Sequence, residues 1–292
     1  MTKHKDAIDL DAVPLSDRLR LPLGPVSMAG LDPSAAPGYP GDGKDDAERY
    51  TAALAPKLSD LQEMLYAAGR SVPEKAPRVL VVLQGMDTSG KGGVIRHAIG
   101  LVDPQGVDMT AFKAPTAEER RHHYLWRIRN ALPGPGKIGI FDRSHYEDVL
   151  VVRVDSLVPE DVWSKRYDEI NEFEAGLVAD GYRLIKCMLN VSFDEQRQRL
   201  AERLADPSKY WKYNPGDVDA RLKWPAYMEA YEAALEKCNT EAAPWYVIPS
   251  DRKWYRNWAV AELLREALSG MGLAWPAAEF DVVTEQQRVA SS

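Results

Sequence analysis

The chain has 292 residues, of which 45% are hydrophobic and 28% charged, enough for one large α/β domain or two small ones with a substantial core. No apolar run approaches the roughly 20 residues that a membrane-crossing helix needs, which speaks against a membrane partner. The net charge of −7 argues against general nucleic-acid binding.

The N-terminal Met1-Thr2-Lys3-His4-Lys5-Asp6 has no apolar h-region, so no signal peptide is evident. Cys187 and Cys238 form no CxxC pair and read as core or surface thiols rather than a disulfide or a zinc site. Together these features predict a cytoplasmic protein. Residues 1–43 are rich in Pro, Gly and Ser and predict an irregular arm, extended or flexible. From Asp45 to Arg70 the apolar period changes: Leu54, Leu58, Leu61, Met64 and Leu65 recur at three and four, the mark of an amphipathic helix that Ser71-Val72-Pro73 ends.

Arg78 to Gln84 is β-branched and apolar and reads as a buried parallel strand. Gly85-Met86-Asp87-Thr88-Ser89-Gly90-Lys91-Gly92-Gly93 follows, and Val94 to Ile99 reads as the start of a helix. Strand, glycine loop and helix form the context of a phosphate-binding loop, in which backbone N–H groups turn inward around an anion. Gly85, Met86, Thr88, Ser89, Gly90, Gly92 and Gly93 are thus expected phosphate contacts, with Lys91 reaching the terminal phosphates as a mobile point charge. The position after the lysine, usually a magnesium-binding Ser or Thr, is Gly92. Asp87 stands inside the loop instead, and a carboxylate among phosphates is repulsive unless a cation lies between them. Asp87 is therefore the expected metal ligand. The competing reading is a plain glycine-rich turn.

Val107 to Phe112 predicts a second strand, and Thr116 then caps a helix. That helix would carry Arg120, His123, Tyr124 and Arg127 on one face. Such a face suits phosphate contacts, and equally a solvated helix. Pro133-Gly134-Pro135-Gly136 breaks it. Lys137 to Asp142 is a Walker-B-type strand ending in a carboxylate, at the sheet edge where ligands bind in open α/β sheets. Asp142 is expected to share a magnesium ion with Asp87. Arg143 is expected to neutralise charge on a transferring phosphoryl group. Ser144, Tyr146 and Glu147 complete the expected phosphate and nucleotide contacts, the competing reading being that Asp142-Arg143-Ser144 simply caps the next helix.

Pro159 to Asp180 reads as a helix, Arg183 to Val191 as a strand and Phe193 to Leu204 as a helix with Arg199 and Arg203 one turn apart. Residues 205–238 read as a lid: basic, aromatic and turn-rich from Asp206 to Pro215, then helical with a restart at Pro225. Lys113, Arg120, Arg127, Arg203, Lys209, Trp211, Lys212 and Arg221 are the expected lid or polyanion contacts, a static helical hairpin being the alternative for the lid. Between Lys113 and Arg129 there are five Lys or Arg against two Glu, and between Arg197 and Lys223 seven against four acids, a bias that would focus an anionic substrate. Trp245 to Pro249 is a short last strand, Ser250-Asp251 caps a helix to about Met271, and residues 276–292 read as an irregular tail. The alternation predicts an α/β fold with a parallel sheet of about five strands, helices on both faces and one domain over residues 44–275.

The loop at 85–93, the stretch Phe141-Asp142-Arg143-Ser144-His145-Tyr146-Glu147-Asp148-Val149-Leu150 and the lid Tyr210-Trp211-Lys212-Tyr213 together resemble the polyphosphate kinase 2 family in order and spacing. The resemblance implies a P-loop kinase-like three-layer α/β/α fold with a helical lid. It implies Mg2+-dependent phosphoryl transfer between inorganic polyphosphate and adenine nucleotides, with guanine nucleotides as a further base class. It assigns metal binding to Asp87 and Asp142, and phosphate binding to Lys91 and Arg143. His145-Tyr146-Glu147-Asp148 resembles the subgroup that phosphorylates both nucleoside mono- and diphosphates, and family members form homodimers or homotetramers. Two rivals share the motifs: an ATP-dependent nucleoside or nucleotide kinase, and a non-catalytic nucleotide-binding P-loop protein.

Overall fold

The structure, a computed structural model, describes residues 13–292. Five strands, β1 (Arg78–Gln84), β2 (Val107–Ala111), β3 (Ile138–Asp142), β4 (Tyr182–Asn190) and β5 (Trp245–Pro249), form one sheet in the order β2-β3-β1-β4-β5. Every pairing is parallel. The helices are α1 (Leu15–Leu19), α2 (Lys44–Ser71), α3 (Lys91–His97), α4 (Leu125–Asn130), α5 (Val151–Val154), α6 (Glu160–Trp163) and α7 (Arg166–Ala179), then α8 (Phe193–Ala205), α9 (Pro215–Leu222), α10 (Trp224–Lys237), α11 (Lys253–Ser269) and α12 (Val282–Ala290).

Strand β1 lies mid-sheet and is covered on both faces, which is why its sequence is an unbroken apolar run. Successive side chains point to opposite faces. Val79, Val81 and Leu83 join the apolar layer made with α2, α3 and α11. Leu80 and Val82 join the other layer, with α4, α7 and α10. The result is the expected three-layer α/β/α arrangement around a parallel sheet.

Four expectations differ locally. The described part of the N-terminal arm is neither extended nor loose: α1 packs Leu15 and Leu19 into the core, and Leu21 and Met28 are buried too. Glu266 accepts from the Leu15 and Ser16 amides at 2.7 and 2.9 Å, while Arg20 bridges antiparallel to Tyr246. Residues 1–12 lie outside the described residues. Instead of one helix running from the Thr116 cap to the break at Pro133, a 3-10 turn (Glu119–Arg121) is separated from α4 by His122–Tyr124. Thr116 does cap its turn, accepting from the Glu119 amide at 3.2 Å while Glu119 accepts from the Thr116 amide at 2.7 Å. The Pro159–Asp180 helix is split into α6 and α7. The C-terminal stretch contains a helix, α12, capped by Asp281, whose side chain accepts from the Thr284 amide. The helical stretch restarts as the proline predicts: α9 stops at Leu222 and α10 opens with Trp224-Pro225.

Candidate active site

The glycine loop leaves the carboxyl end of β1, and Asp142 closes β3 beside it, with Leu83 and Asp142 in register. Arg143 continues the pairing for one residue, its amide donating to the Leu83 carbonyl at 3.0 Å. Its backbone then turns into the left-handed region at φ 64°. Thr88 in the loop does the same at φ 65°. Such non-glycine conformations cost roughly 1–2 kcal/mol each and gather at functional sites.

These turns bring the charged groups together. The Arg143 guanidinium donates to Asp87 Oδ1 at 2.5 Å and lies 3.7 Å from Glu147. Lys91, the first residue of α3, is buried and folds back on the loop: its Nζ donates to the Gly85 carbonyl at 2.8 Å and to that of Met86 at 3.5 Å. Burial pushes the Lys91 ammonium down and Arg143 adds to it, against Asp87, Asp142 and Glu147, leaving it below its usual range. Burial lifts Glu147 above the usual carboxylate range, although Arg143 and Lys91 pull the other way. Burial opposes the charge on Arg143, yet Glu147 and Asp87 more than offset it and hold that guanidinium above its ordinary value. Three acids and two bases thus sense each other within one recess.

The donor set fits a hard cation. Asp87 and Asp142 offer carboxylate oxygens, and no group of three or more His, Cys, Asp or Glu that could hold a metal is found among the described residues. Magnesium is ordinarily held by one or two carboxylates together with substrate phosphates rather than by an all-protein cage.

Side chains that sequence reasoning passed over hold the loop from behind. Gln196, fully buried on α8, donates to the Asp87 carbonyl at 3.1 Å. Arg199 donates to the carbonyls of Thr88, Ser89, Ser250 and Asp251 at 2.6–3.2 Å. Arg256 of α11 donates to the Ser89 carbonyl at 3.0 Å. The signal in the sequence was the polar residue type on an otherwise inward-facing helix side, which becomes legible only once the partner loop is known. Asp217 of α9 is buried and paired with Arg203 at 3.1 Å. Burial, followed by the charge of Asp87, raises its carboxyl, so α9 lies close to the same charged groups.

Other expected contacts are not where sequence placed them. Tyr146 is fully buried, with its hydroxyl donating to Glu174 at 2.7 Å and accepting from Lys186 at 2.9 Å, so it is a core residue rather than a nucleotide contact. Ser144, also fully buried, accepts from Gln84 at 3.1 Å and from the Tyr146 amide at 3.2 Å; it caps the short turn that follows. Arg127 is buried, bonded to the Lys113 carbonyl at 2.8 Å and set over the Phe112 ring, so it does not share an exposed face with Arg120. Lys113, Arg120, Lys209, Trp211 and Lys212 are exposed, as a polyanion contact requires. Arg221 is partly buried and ties α9 to α8 through the Phe193 carbonyl and Gln196 Oε1.

A strand, a glycine loop with an inward lysine, and an acid-ended neighbouring strand define the P-loop class of phosphate-handling proteins. Comparison with known proteins narrows the class. The sequence profile described as Polyphosphate kinase 2 (PPK2) matches residues 43–273. The chain is 47% identical over 258 residues to the AMP/ADP-polyphosphate phosphotransferase of Meiothermus ruber, covering 88% of this chain and 94% of that one. It is 40% identical over 232 residues to the ADP-polyphosphate phosphotransferase of Rhodopseudomonas palustris, covering 75% and 78%. The crystal structure of polyphosphate kinase 2 from Arthrobacter aurescens TC1 superposes with a TM-score of 0.91 at 48% identity, covering 96% of this chain and 98% of that one. This chain belongs to the polyphosphate kinase 2 family and is a phosphotransferase.

Proposed function

We propose that this protein transfers phosphoryl groups between inorganic polyphosphate and adenine nucleotides, with AMP and ADP both as acceptors and with Mg2+ as the metal. The observation that carries the reading is the convergence of Lys91, Arg143, Asp87 and Asp142 at the adjoining ends of β1 and β3, in a chain of this family. The relatives' names supply the acceptors: one is named for AMP and ADP, the other for ADP. Family membership favours this reading over an ATP-dependent kinase or a non-catalytic nucleotide binder.

The chemistry asks for positioning and charge neutralisation. The loop amides and Lys91 hold phosphates at the transfer point. Arg143 exchanges its bond to Asp87 for the equatorial oxygens of the group in flight. Asp87, so released, and Asp142 are the carboxylates that would hold magnesium, which when bound supplies charge compensation between donor and acceptor phosphates. The acceptor is already an anionic phosphate, so no general base is required. Residues 205–238 act as the lid, and Lys113, Arg120, Lys209 and Lys212 guide the polymer. Cytoplasmic location, use of guanine nucleotides and a homodimeric or homotetrameric state belong to the same reading.

The test is direct. The protein is incubated with Mg2+, AMP or ADP, and either polyphosphate or ATP as donor. Phosphorylated nucleotide with polyphosphate alone is the expected product. Turnover only with ATP would overturn the donor assignment, and no turnover with either would favour the non-catalytic alternative.

A further inference from the structure

We propose that Arg256 is a buried positioning residue whose counter-ion is the phosphate held on the far side of the glycine loop. Arg256 lies in the first turn of α11 and is 3% exposed. One nitrogen donates to the Ser89 carbonyl at 3.0 Å, while its Nε and other terminal nitrogen donate to Asn257 Oδ1 at 3.3 and 2.9 Å. All its acceptors are neutral, and among the described residues no carboxylate pairs with it. Glu195, whose charge reaches Arg256, is engaged elsewhere: it pairs with Arg199 at 2.8 Å.

A buried charge normally brings a partner, because taking it out of water alone is costly. The place of this one explains the omission. The guanidinium packs directly against the backbone of Gly90 and Gly93, so closely that a Cβ on either glycine would strike it. Those residues are part of the loop that turns its amides toward the anion. The cation therefore stands one backbone thickness behind the phosphate seat, in a region screened from solvent. Burial, then the neighbouring Arg199, pulls the guanidinium down to about 9, against the charge of Glu195. Arrival of phosphate completes the pair through the loop. Arg256 touches no substrate; it acts by its field and by fixing Ser89.

The inference rests on the loop being the phosphate seat, and the experiment separates the two. Asn257→Asp keeps the shape of the Asn257 side chain and gives Arg256 a permanent carboxylate. Affinity for short-chain inorganic polyphosphate is measured by titration calorimetry, and the ligand-free thermal midpoint is recorded beside it. The expected result is a midpoint equal to or above that of the parent, with affinity weaker by about tenfold, as for one added like charge behind a poorly solvated site. Arg256→Met is expected to lose affinity by a similar factor. A structural staple would show the opposite: unchanged affinity, or a lowered midpoint, in Asn257→Asp, and either outcome overturns the proposal, as does failure of that variant to fold. Lys91→Ala serves as the control. If it abolishes binding while Asn257→Asp binds as the parent does, the Arg256 inference alone falls. If Lys91→Ala also binds normally, the phosphate seat itself has been misassigned.

Discussion

Arg143 does two things at one position. Its left-handed backbone redirects the chain after β3, and its side chain meets Asp87 across the gap to the glycine loop. Lysine would keep the charge but lose the planar fork that meets Asp87 and can meet a phosphoryl group in the same way. Arg143→Lys, Lys91→Ala and Asp87→Ala are each expected to lower kcat on the order of 10²-fold, as removal of other transition-state charge stabilisers does, with far-UV circular dichroism unchanged. Near-parental kcat in a folded Lys91→Ala would contradict the assignment. Elsewhere, single residues are quiet. Cys187 and Cys238 are buried and unbridged, and burial pushes both thiols up to about 12. Only the thiolate reacts readily. Iodoacetamide at neutral pH should therefore leave both unmodified in mass spectra of the native protein and label both once denaturant is added.

Between elements, the most demanding contact is a buried charged network that joins β4, α7 and the turn after β3. Lys186, in the middle of β4 and fully buried, donates to Glu174 at 2.6 Å, to the Tyr146 hydroxyl at 2.9 Å and to the Cys238 carbonyl at 2.7 Å. His145 adds a contact to Glu174 at 3.2 Å. Burial pushes the Glu174 carboxyl up, but Lys186 and His145 outweigh it and hold it below its ordinary value of 4.5. A depressed carboxyl contributes stability that is complete above its unfolded pKa and is lost as pH falls through the folded one. Stability should thus decline below about pH 4.5, and this decline should be shallower in Glu174→Gln. That variant leaves the Lys186 ammonium buried without its acid and should cost about 3–5 kcal/mol at neutral pH, read by urea titration. A loss under 1 kcal/mol would show that the network contributes little. The network also marks where sequence reading reached its limit. The five strands, the glycine loop and the acid-ended strand were legible because each is a contiguous pattern with one meaning. Tyr146, Arg127 and Lys186 were not, because an aromatic or a cation reads the same along the chain whether it faces a ligand or a buried partner. Glu174 sits 12 residues from Lys186 in the chain, and Tyr146 sits 40 from it. Pattern along the chain cannot join residues that only the sheet and helix packing bring together. The split near His122 escaped for the same reason: the carbonyl of Lys113 that draws Arg127 inward lies on a different segment.

At the scale of the whole molecule, the glycine loop, Asp142 and Arg143 gather where the parallel strands end together, and α8 and α9 pack beside the loop. Arg203 ties the 3-10 turn Pro207–Lys212 and α9 to α8 through the Lys212 carbonyl and Asp217, and Gln196 links Arg221 to the Asp87 carbonyl. α9 and the glycine loop are therefore in contact through one short chain of bonds. The opposite concern is the flank of the sheet at β5. Leu21 donates its amide to the Trp245 carbonyl at 2.8 Å, and Asn239 holds the Leu21 and Pro22 carbonyls at 3.0 and 3.1 Å. The N-terminal segment thereby works as a hem. A parallel sheet that ends in an open strand is a template for further pairing, and at the β5 margin the segment around Arg20 and Leu21 takes up that role. Removing residues 1–31 should leave a ragged margin that recruits other molecules, seen as growing particle size by light scattering at concentrations where the full chain stays dispersed.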